Sequence, residues 1–224
     1  MQSLGVRTTQ AVGAALGLLV PFGGIAALVA GKWSGLREID TQVADRLHEA
    51  ALGHAALVDA LAWWSLAFDP NTWRAAALVL AIWLVRRRER MLAWWVVATM
   101  AAGGALGGVL KLLFGRHRPD LLDPVARATG YSFPSGHALN NALGAAVFLL
   151  VLLPRTRGRA KRAALVTAAV AIPLITAYTR VALGVHWTSD VVAGLLLGAA
   201  VPAITVAVFQ RRRVRVEGGR VQIR

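Results

Sequence analysis

Apolar residues run along the chain in long uninterrupted stretches rather than in the alternating or one-faced patterns of soluble domains. Two stretches, 11–30 and 91–110, carry no charged residue and are long enough to cross a bilayer. Three more, 138–153, 163–179 and 191–209, reach that length when flanking Gly, Thr, Tyr and Trp residues are included. We therefore predict transmembrane helices in all five stretches.

Two weaker apolar stretches lie between the first and the third predicted span. Residues 70–85 include Arg74 but are otherwise apolar, and we count them as a sixth span. Residues 55–68 are too short to cross a bilayer. They fit an interfacial helix with Trp63 and Trp64 at headgroup depth. The predicted fold is therefore all-α, a polytopic membrane bundle of six transmembrane helices.

The composition agrees with this fold. Hydrophobic residues make up 57% of the 224 positions and charged residues 16%, whereas soluble domains carry about 25% charged residues. The chain has no cysteine, which excludes a disulfide framework and a cysteine-based metal site. With no repeat or low-complexity segment, residues 1–209 form one predicted domain, followed by a basic tail at 210–224.

Basic residues set the predicted orientation. They concentrate in 86–90 after the second span, in 155–162 after the fourth and in the tail, and such segments stay in the cytoplasm. Both termini are therefore predicted to be cytoplasmic. Together with Arg7 near the N-terminus, these segments carry a net charge of +14 and the remaining charges balance, so the whole net charge lies on the predicted cytoplasmic side. This charge is an orientation signal, and it requires no nucleic acid partner.

The same topology gathers most of the other ionisable and polar residues at the opposite membrane surface. They come from the end of the third span, the start of the fourth, the end of the fifth and the start of the sixth. They are Lys111, Arg116, His117, Arg118, Ser135, His137, Arg180, His186 and Asp190. Ionisable residues at span ends that face a bundle interior are candidates for function.

These residue types favour an anion with several oxygens as the ligand. Lys111, Arg118 and Arg180 are three cations with few acids nearby. Ser135 supplies a hydroxyl, and Gly136 exposes a backbone N–H where a helix should begin. Helix N-termini and arginine side chains both bind phosphate well.

Two histidines supply candidate catalytic groups. His186 and Asp190 are four residues apart at the start of a helix, so they share a face. The carboxylate can fix the imidazole tautomer and leave the other ring nitrogen free to attack. His137 can protonate a leaving oxygen. A zinc site built from the histidines is the alternative, but the surrounding cations would repel a metal ion.

Three motifs in this region resemble those of the type 2 phosphatidic acid phosphatase superfamily. Its K-x-x-x-x-x-x-R-P element is similar to Lys111–Pro119, and its P-S-G-H element to Pro134–His137. Its third element, S-R-x-x-x-x-x-H-x-x-x-D, is similar to residues 179–190, with Thr179 in the place of serine. Soluble vanadium haloperoxidases share this site, but the hydrophobic spans favour the membrane lipid-phosphate branch.

The resemblance implies a role for each matched residue. His186 would be the nucleophile that forms a phosphohistidine, Asp190 would orient it, and His137 would be the general acid and then the base for water. The residues that would bind the phosphoryl oxygens are Lys111, Arg118, Ser135, Gly136 and Arg180. The resemblance implies no metal and no cofactor.

The implied function is hydrolysis of a lipid phosphate such as a polyprenyl diphosphate, phosphatidylglycerol phosphate or phosphatidic acid. The expected location is a bacterial plasma membrane, with the site on the extracytoplasmic side. One alternative is a phosphotransferase that uses the same site with an organic acceptor. A second is a non-enzymatic transporter or scaffold that binds anionic lipid, although the internal repeats frequent in transporters are absent. The oligomeric state is left open.

Other conspicuous residues receive structural interpretations. We interpret Arg74, Arg116 and Arg127 as interfacial anchors whose charged ends reach the headgroups. His48 and His54 are interpreted as solvated or interfacial side chains. The third span contains four glycines that we expect to allow close helix packing: Gly103, Gly104, Gly107 and Gly108.

Overall fold

Helices are the only regular secondary structure in the part of the chain that the computed structural model describes, residues 7–120 and 129–220. The helices are α1 Thr8–Ala30, α2 Ser34–Leu52, α3 Ala55–Ala67, α4 Pro70–Arg86, α5 Arg90–Phe114, α6 Gly136–Leu152, α7 Arg159–Ala182 and α8 Thr188–Arg220. A short 3₁₀ turn, Leu153–Arg155, extends α6. The all-α prediction is confirmed for these residues. Arg127 lies outside them.

Five of the helical segments are long and apolar enough to cross a membrane: α1, α5, α6 with its 3₁₀ turn, α7, and α8 as far as Gln210. The remaining predicted span, 70–85, corresponds to α4, which has 17 residues and continues the path of α3. The α3–α4 segment, Ala55–Arg86, meets α2 at an angle of 114°. The described residues therefore contain five candidate spans, or six if this bent unit counts as one.

The segment predicted to be interfacial is α3. Trp63 is 71% exposed, as that prediction requires. Trp64 instead packs inward, and its Nε1 donates to Oγ1 of Thr176 on α7 at 3.0 Å. At the other end of the chain, α8 runs past Gln210 to Arg220, so the predicted tail begins as a continuation of a helix. Residues 221–224 lie outside the described part.

Small residues allow the helices around α6 to approach closely. A Cβ at Gly103 of α5 would lie 2.5 Å from Cδ2 of Leu143, and one at Gly107 would lie 3.1 Å from Cδ1 of Leu139. The packing role predicted for these two glycines is therefore confirmed. Gly108 has no neighbour within 4 Å of a Cβ position, so the same prediction is wrong there.

A buried amide fixes the corner between α3 and α4 against α6. Nδ2 of Asn141 donates to the carbonyl of Phe68 at 2.8 Å. Its Oδ1 accepts from Nε1 of Trp73 at 2.9 Å and from Oγ1 of Thr176 at 3.2 Å. Asn141 thus links α4, α6 and α7. Because it lies one turn after His137, it also holds the start of α4 beside the start of α6.

Candidate active site

The predicted site residues come together where α5 and α7 end and where α6 and α8 begin. The backbone N–H of Ser135 donates to the carbonyl of Asp190 at 2.9 Å, which joins the first turns of α6 and α8. The charges of Arg118, Asp190 and Arg180 all act on Lys111. Lys111, Arg118, Arg180 and Asp190 therefore lie close together, and Arg118 also contacts His186.

His186 and Asp190 form a buried pair with a defined orientation. They are 2% and 0% exposed, and Nδ1 of His186 lies 3.4 Å from Oδ2 of Asp190. This distance is long for a hydrogen bond. The same Oδ2 accepts from the backbone N–H of Trp187 at 3.0 Å. The carboxylate is thus held facing the ring.

The other ring nitrogen faces a cation. Nη1 of Arg118 lies 3.0 Å from Nε2 of His186 and 2.7 Å from the carbonyl of Val185. An arginine N–H can only donate, so Nε2 accepts and the ring proton lies on Nδ1, toward Asp190. This tautomer leaves a lone pair on Nε2, which is the form of the ring that can act as a nucleophile. A ligand that reacts at Nε2 would have to displace Arg118 from it, and an anionic ligand would offer the guanidinium a new acceptor.

Burial shifts the ionisation of both groups. It lowers the pKa of His186 to about 4, although the hydrogen bond and the charge of Asp190 act in the opposite direction. A neutral imidazole at neutral pH is the form that can attack. Burial also lowers the pKa of the Arg118 guanidinium, with Asp190 again opposing the shift.

Arg180 has a buried donor that fits a ligand oxygen. The residue is 6% exposed, and its Nη1 donates to Oγ of Ser65 on α3. Its Nε is buried and has no hydrogen-bond partner among the residues that the structure describes. A buried charged donor without a partner is costly in a folded protein. An anionic oxygen would satisfy it.

Lys111 and Ser135 complete the cationic side of the site. Nζ of Lys111 donates to the carbonyl of Tyr131 at 2.6 Å, and its Cε lies 3.8 Å from the position of a Cβ on Gly136. The ammonium group is therefore close to the start of α6. Ser135 is buried and acts as the N-cap of α6, because its Oγ accepts from the N–H of Ala138 at 3.5 Å. Its hydroxyl hydrogen can still donate to a ligand.

His137 faces a carboxylate that the sequence did not single out. Its Nε2 lies 3.5 Å from Oδ2 of Asp69, and the two side chains are 20% and 33% exposed. Asp69 also caps α4, because its Oδ1 accepts from the N–H of Asn71 at 2.8 Å. The dipeptide Asp69-Pro70 is a typical start of a helix. That signal could have located the residue in the sequence, but it does not indicate its proximity to His137.

Arg116 is not the interfacial anchor that the sequence suggested. Its Nη1 donates to Oδ1 of Asp190 and to Oγ of Ser189, both at 2.7 Å, and its Nη2 donates to Oδ2 of Asp40 at 2.7 Å. These contacts turn the side chain inward between α2 and α8, so the anchor interpretation is wrong. Arg74, by contrast, is exposed as predicted, and it bonds Asn71 within its own helix.

His48 also differs from the sequence interpretation. It is 4% exposed, and its Nδ1 lies 3.0 Å from the carbonyl of Ala182 at the end of α7. The interpretation of His48 as solvated or interfacial is therefore wrong. The amphipathic character of α2, which buries Asp40, Ala44, His48 and Ala51, could have indicated this. His54 is exposed, in agreement with the sequence.

The arrangement can bind and transfer a phosphoryl group. A neutral imidazole presents a lone pair into a cluster of cations, a buried carboxylate holds its other nitrogen, and a second imidazole lies at the start of α6. Positioning and charge stabilisation supply most of the rate in phosphoryl transfer.

Residues 92–214 match the PAP2 superfamily. Undecaprenyl-diphosphatase of Sulfolobus acidocaldarius is 33% identical over 137 residues, which cover 58% of this chain and 61% of that protein. Decaprenylphosphoryl-5-phosphoribose phosphatase of Mycobacterium tuberculosis is 36% identical over 151 residues, 64% of this chain and 76% of that protein. The chain thus spans less than two thirds of the archaeal relative and about three quarters of the mycobacterial one.

Solved structures show the same fold. The transmembrane PAP2-type phosphatidylglycerolphosphate phosphatase from Bacillus subtilis superposes with a TM-score of 0.78 at 21% identity, covering 88% of this chain and 96% of that one. LpxE of Aquifex aeolicus gives a TM-score of 0.56 at 21% identity, over 74% of this chain and 93% of that one. At these identities the likeness concerns the fold.

Proposed function

The chain belongs to the PAP2 superfamily, and on that premise we propose that it is an integral membrane phosphatase that hydrolyses a lipid phosphate or diphosphate through a phosphohistidine on His186. The observation that carries the proposal is the pair of contacts on the His186 ring. Nδ1 faces Oδ2 of Asp190, and Nε2 accepts from Arg118 in the middle of the cationic cluster. The nucleophile is thus already in its reactive tautomer.

In the first step the Nε2 lone pair attacks phosphorus. The N–P bond forms as the bond from phosphorus to the leaving oxygen breaks, and protonated His137 transfers a proton to that oxygen. Positive charge that develops on the imidazole is stabilised by Asp190. The donors for the three equatorial oxygens are Lys111, Arg118, Ser135, the Gly136 N–H and Arg180, the last through its otherwise unsatisfied Nε.

In the second step water hydrolyses the phosphohistidine. His137 is neutral after the first step, so it can take a proton from the water as the oxygen attacks phosphorus and the N–P bond breaks. The products are inorganic phosphate and a lipid alcohol, or a lipid monophosphate when the substrate is a diphosphate. His137 regains its proton and His186 its neutral form, so the cycle closes without a metal.

The substrate class follows from the relatives and from the position of the site. The named relatives act on undecaprenyl diphosphate, a decaprenylphosphoryl phosphoribose and, in a 36% identical stretch of 96 residues, phosphatidylglycerophosphate in Bacillus subtilis. The site residues lie at the ends of membrane-spanning helices, where a lipid headgroup lies. We therefore propose a lipid phosphate with a polyprenyl or diacylglycerol tail.

We place the site on the extracytoplasmic side of a bacterial plasma membrane. The support is topological. Helix α5 runs from Arg90 to Phe114 and α7 from Arg159 to Ala182, so the basic segments and the site lie at opposite helix ends. Basic segments of this kind stay in the cytoplasm. A membrane-impermeant thiol reagent applied to intact cells tests the orientation with single cysteines at exposed Asp59 and Arg88.

The activity is tested by phosphate release in detergent across a panel of polyprenyl diphosphates, phosphatidylglycerophosphate and phosphatidic acid, with a chelator present. Wild-type protein should release phosphate from at least one lipid. His186→Ala should abolish release, whereas His54→Ala, which changes an exposed histidine at the start of α3, should not. Transfer of the labelled phosphoryl group to an organic acceptor instead of water would show that the protein is a transferase and not a hydrolase. Dependence on added metal would falsify the metal-free mechanism.

A further inference from the structure

A buried chain of charges reaches the catalytic carboxylate from the side opposite His186. Oδ1 of Asp190 accepts from Nη1 of Arg116 at 2.7 Å, and Nη2 of Arg116 donates to Oδ2 of Asp40 at 2.7 Å. Asp40 and Asp190 are 1% and 0% exposed, and the Arg116 side chain is 17% exposed. One guanidinium therefore bridges two buried carboxylates that come from α2 and α8.

The position of Arg116 in the chain makes this bridge possible. Helix α5 ends at Phe114, and Gly115 terminates it with a φ of 55°, a conformation that favours glycine. The chain then turns, so that Arg116 points back under the start of α8. The Trp187 ring lies over its guanidinium, with the ring centroid 5.7 Å from Cζ. The side chain is thus held on several sides.

Asp40 is itself fixed by the first turn of α8. Its Oδ1 accepts from the N–H of Ser189 at 2.8 Å, and its Oδ2 accepts from Oγ of Ser189 at 2.5 Å. The carboxylate therefore satisfies a free N–H at the helix start in addition to holding Arg116. This arrangement locks the distance between α2, Arg116 and the turn of α8 that carries Asp190.

We propose that Arg116, held by Asp40, is the positioning residue for Asp190 and thereby for the nucleophile His186. The two carboxylate oxygens of Asp190 have different partners. Because Arg116 holds Oδ1, the plane of the carboxylate is fixed and Oδ2 is directed at His186 and the Trp187 N–H. A planar, forked donor fixes the directions of both hydrogen bonds, whereas the rotatable ammonium group of lysine does not. The inference rests on the proposed function, since it concerns the same reaction.

This role differs from that of the phosphate-binding cations. The Nη atoms of Arg116 bond to Asp40, Asp190 and Ser189, so the bridge is directed at protein acceptors. Arg118, by contrast, contacts His186, and Arg180 has a buried Nε donor without a partner among the described residues. Loss of Arg116 should therefore slow the chemical step and leave binding of phosphate intact, whereas loss of Arg180 should weaken both.

The test compares Arg116→Lys, Arg116→Gln and Asp40→Asn in the full chain. Arg74→Gln is the control for loss of an exposed arginine, and Glu49→Gln is the control for loss of an exposed carboxylate. We expect kcat to fall about 100-fold in Arg116→Gln and about tenfold in Arg116→Lys and Asp40→Asn, because misplaced catalytic groups slow the chemical step. KM and the inhibition constant for inorganic phosphate should stay within about twofold of wild type. The controls should match wild type in all three constants.

The double variant Arg116→Gln/Asp40→Asn separates positioning from separate structural effects. Asparagine keeps an oxygen for the Ser189 N–H and loses the oxygen that accepts from Arg116 and from Oγ of Ser189. If Asp40 acts through Arg116, the double variant should be no slower than Arg116→Gln alone. Additive losses would overturn the proposal, and so would wild-type kcat in Arg116→Gln or a loss confined to KM.

Removing Arg116 leaves two buried carboxylates without their shared cation, which can prevent folding. If Arg116→Gln gives no monodisperse protein in detergent, Asp40→Asn decides alone. A tenfold lower kcat with unchanged KM supports the proposal, and a wild-type kcat overturns it. Failure of the proposed function is a separate result, because the wild-type protein would then turn over no lipid phosphate.

Discussion

The contact between α6 and α8 beneath the site gives a sharp prediction for Gly194. A Cβ at this position would lie 2.7 Å from the carbonyl oxygen of Ser135 and 3.1 Å from the N–H nitrogen of Leu139. Both are backbone atoms at the start of α6, so no side chain can rotate away to relieve the contact. Ser135 is also the residue whose N–H bonds the Asp190 carbonyl.

The size of the effect follows from these distances. Contacts of carbon atoms are most favourable near about 3.5 Å, so Gly194→Ala should move the first turn of α6 by roughly 0.5–1 Å from α8. Ser135 and Gly136 would move with it, away from His186. Misplacement of about 1 Å in an active site costs about 100-fold in rate. We expect kcat/KM to fall about 10- to 100-fold.

Two glycines on α5 serve as matched controls. Gly108→Ala adds a methyl group with no neighbour within 4 Å, so activity should equal that of wild type. Gly103→Ala would collide with the flexible Leu143 side chain, which lies outside the active site. It should therefore lower thermal stability in detergent more than activity. Phosphate release and a melting curve for all three variants are the assays. Wild-type activity and stability in Gly194→Ala would refute the reasoning.

Three further predictions concern the catalytic groups. Asp69→Asn removes the carboxylate 3.5 Å from Nε2 of His137. It should lower kcat/KM for a lipid phosphate about tenfold. For p-nitrophenyl phosphate, whose leaving group needs no proton, kcat/KM reports only the first step and should stay nearly unaffected. Equal losses on both substrates would contradict this role, and Asp59→Asn is the exposed control. Arg180→Lys keeps the charge but lacks the Nε donor. The inhibition constant for inorganic phosphate should therefore rise about tenfold. An unchanged inhibition constant would mean that Nε does not bind the ligand. Burial lowers the pKa of His186 to about 4, so the ring should stay neutral and reactive at neutral pH. We expect kcat/KM to fall on the acid side only as the pH passes through about 4. A fall near the ordinary histidine pKa of about 6.5 would contradict the shift.

Much of the site was predictable because its residues lie in short motifs at the ends of apolar runs. Span ends and orientation place Lys111, Ser135, Arg180 and His186 on one side of the membrane, and the structure brings them together. The fold was predictable for a similar reason. Within a bilayer a chain of this composition must satisfy its backbone by forming helices, and apolar runs mark where they lie.

The residues that sequence reasoning missed act across long separations. Asp40 lies 149 positions from Ser189, and Arg116 lies 74 from Asp190. Nothing in the local sequence shows that α2 packs beside the start of α8, so Asp40 looked like one of several acids in a polar loop. Arg116 looked like an anchor because cationic residues beside a span usually are anchors. Only the turn at Gly115 directs it inward.

The weak second span has a physical explanation as well. Helix α4 starts at the Asp69 cap and at Pro70, so the apolar run cannot be read as one uniform helix. Asn141 binds the Phe68 carbonyl at the corner where α3 gives way to α4. A polar contact of this kind, between residues 73 positions apart, is invisible to a search for charge-free windows.

The central claim is that His186 carries the phosphoryl group between substrate and water, and a rapid-quench experiment tests it most directly. His137→Ala should form the intermediate from p-nitrophenyl phosphate, which needs no proton on its leaving group, and should hydrolyse it slowly. After quenching at alkaline pH, mass spectrometry should find one phosphoryl group on the peptide that contains His186. A phosphoryl group on another residue, or continued turnover by His186→Ala, would contradict the account.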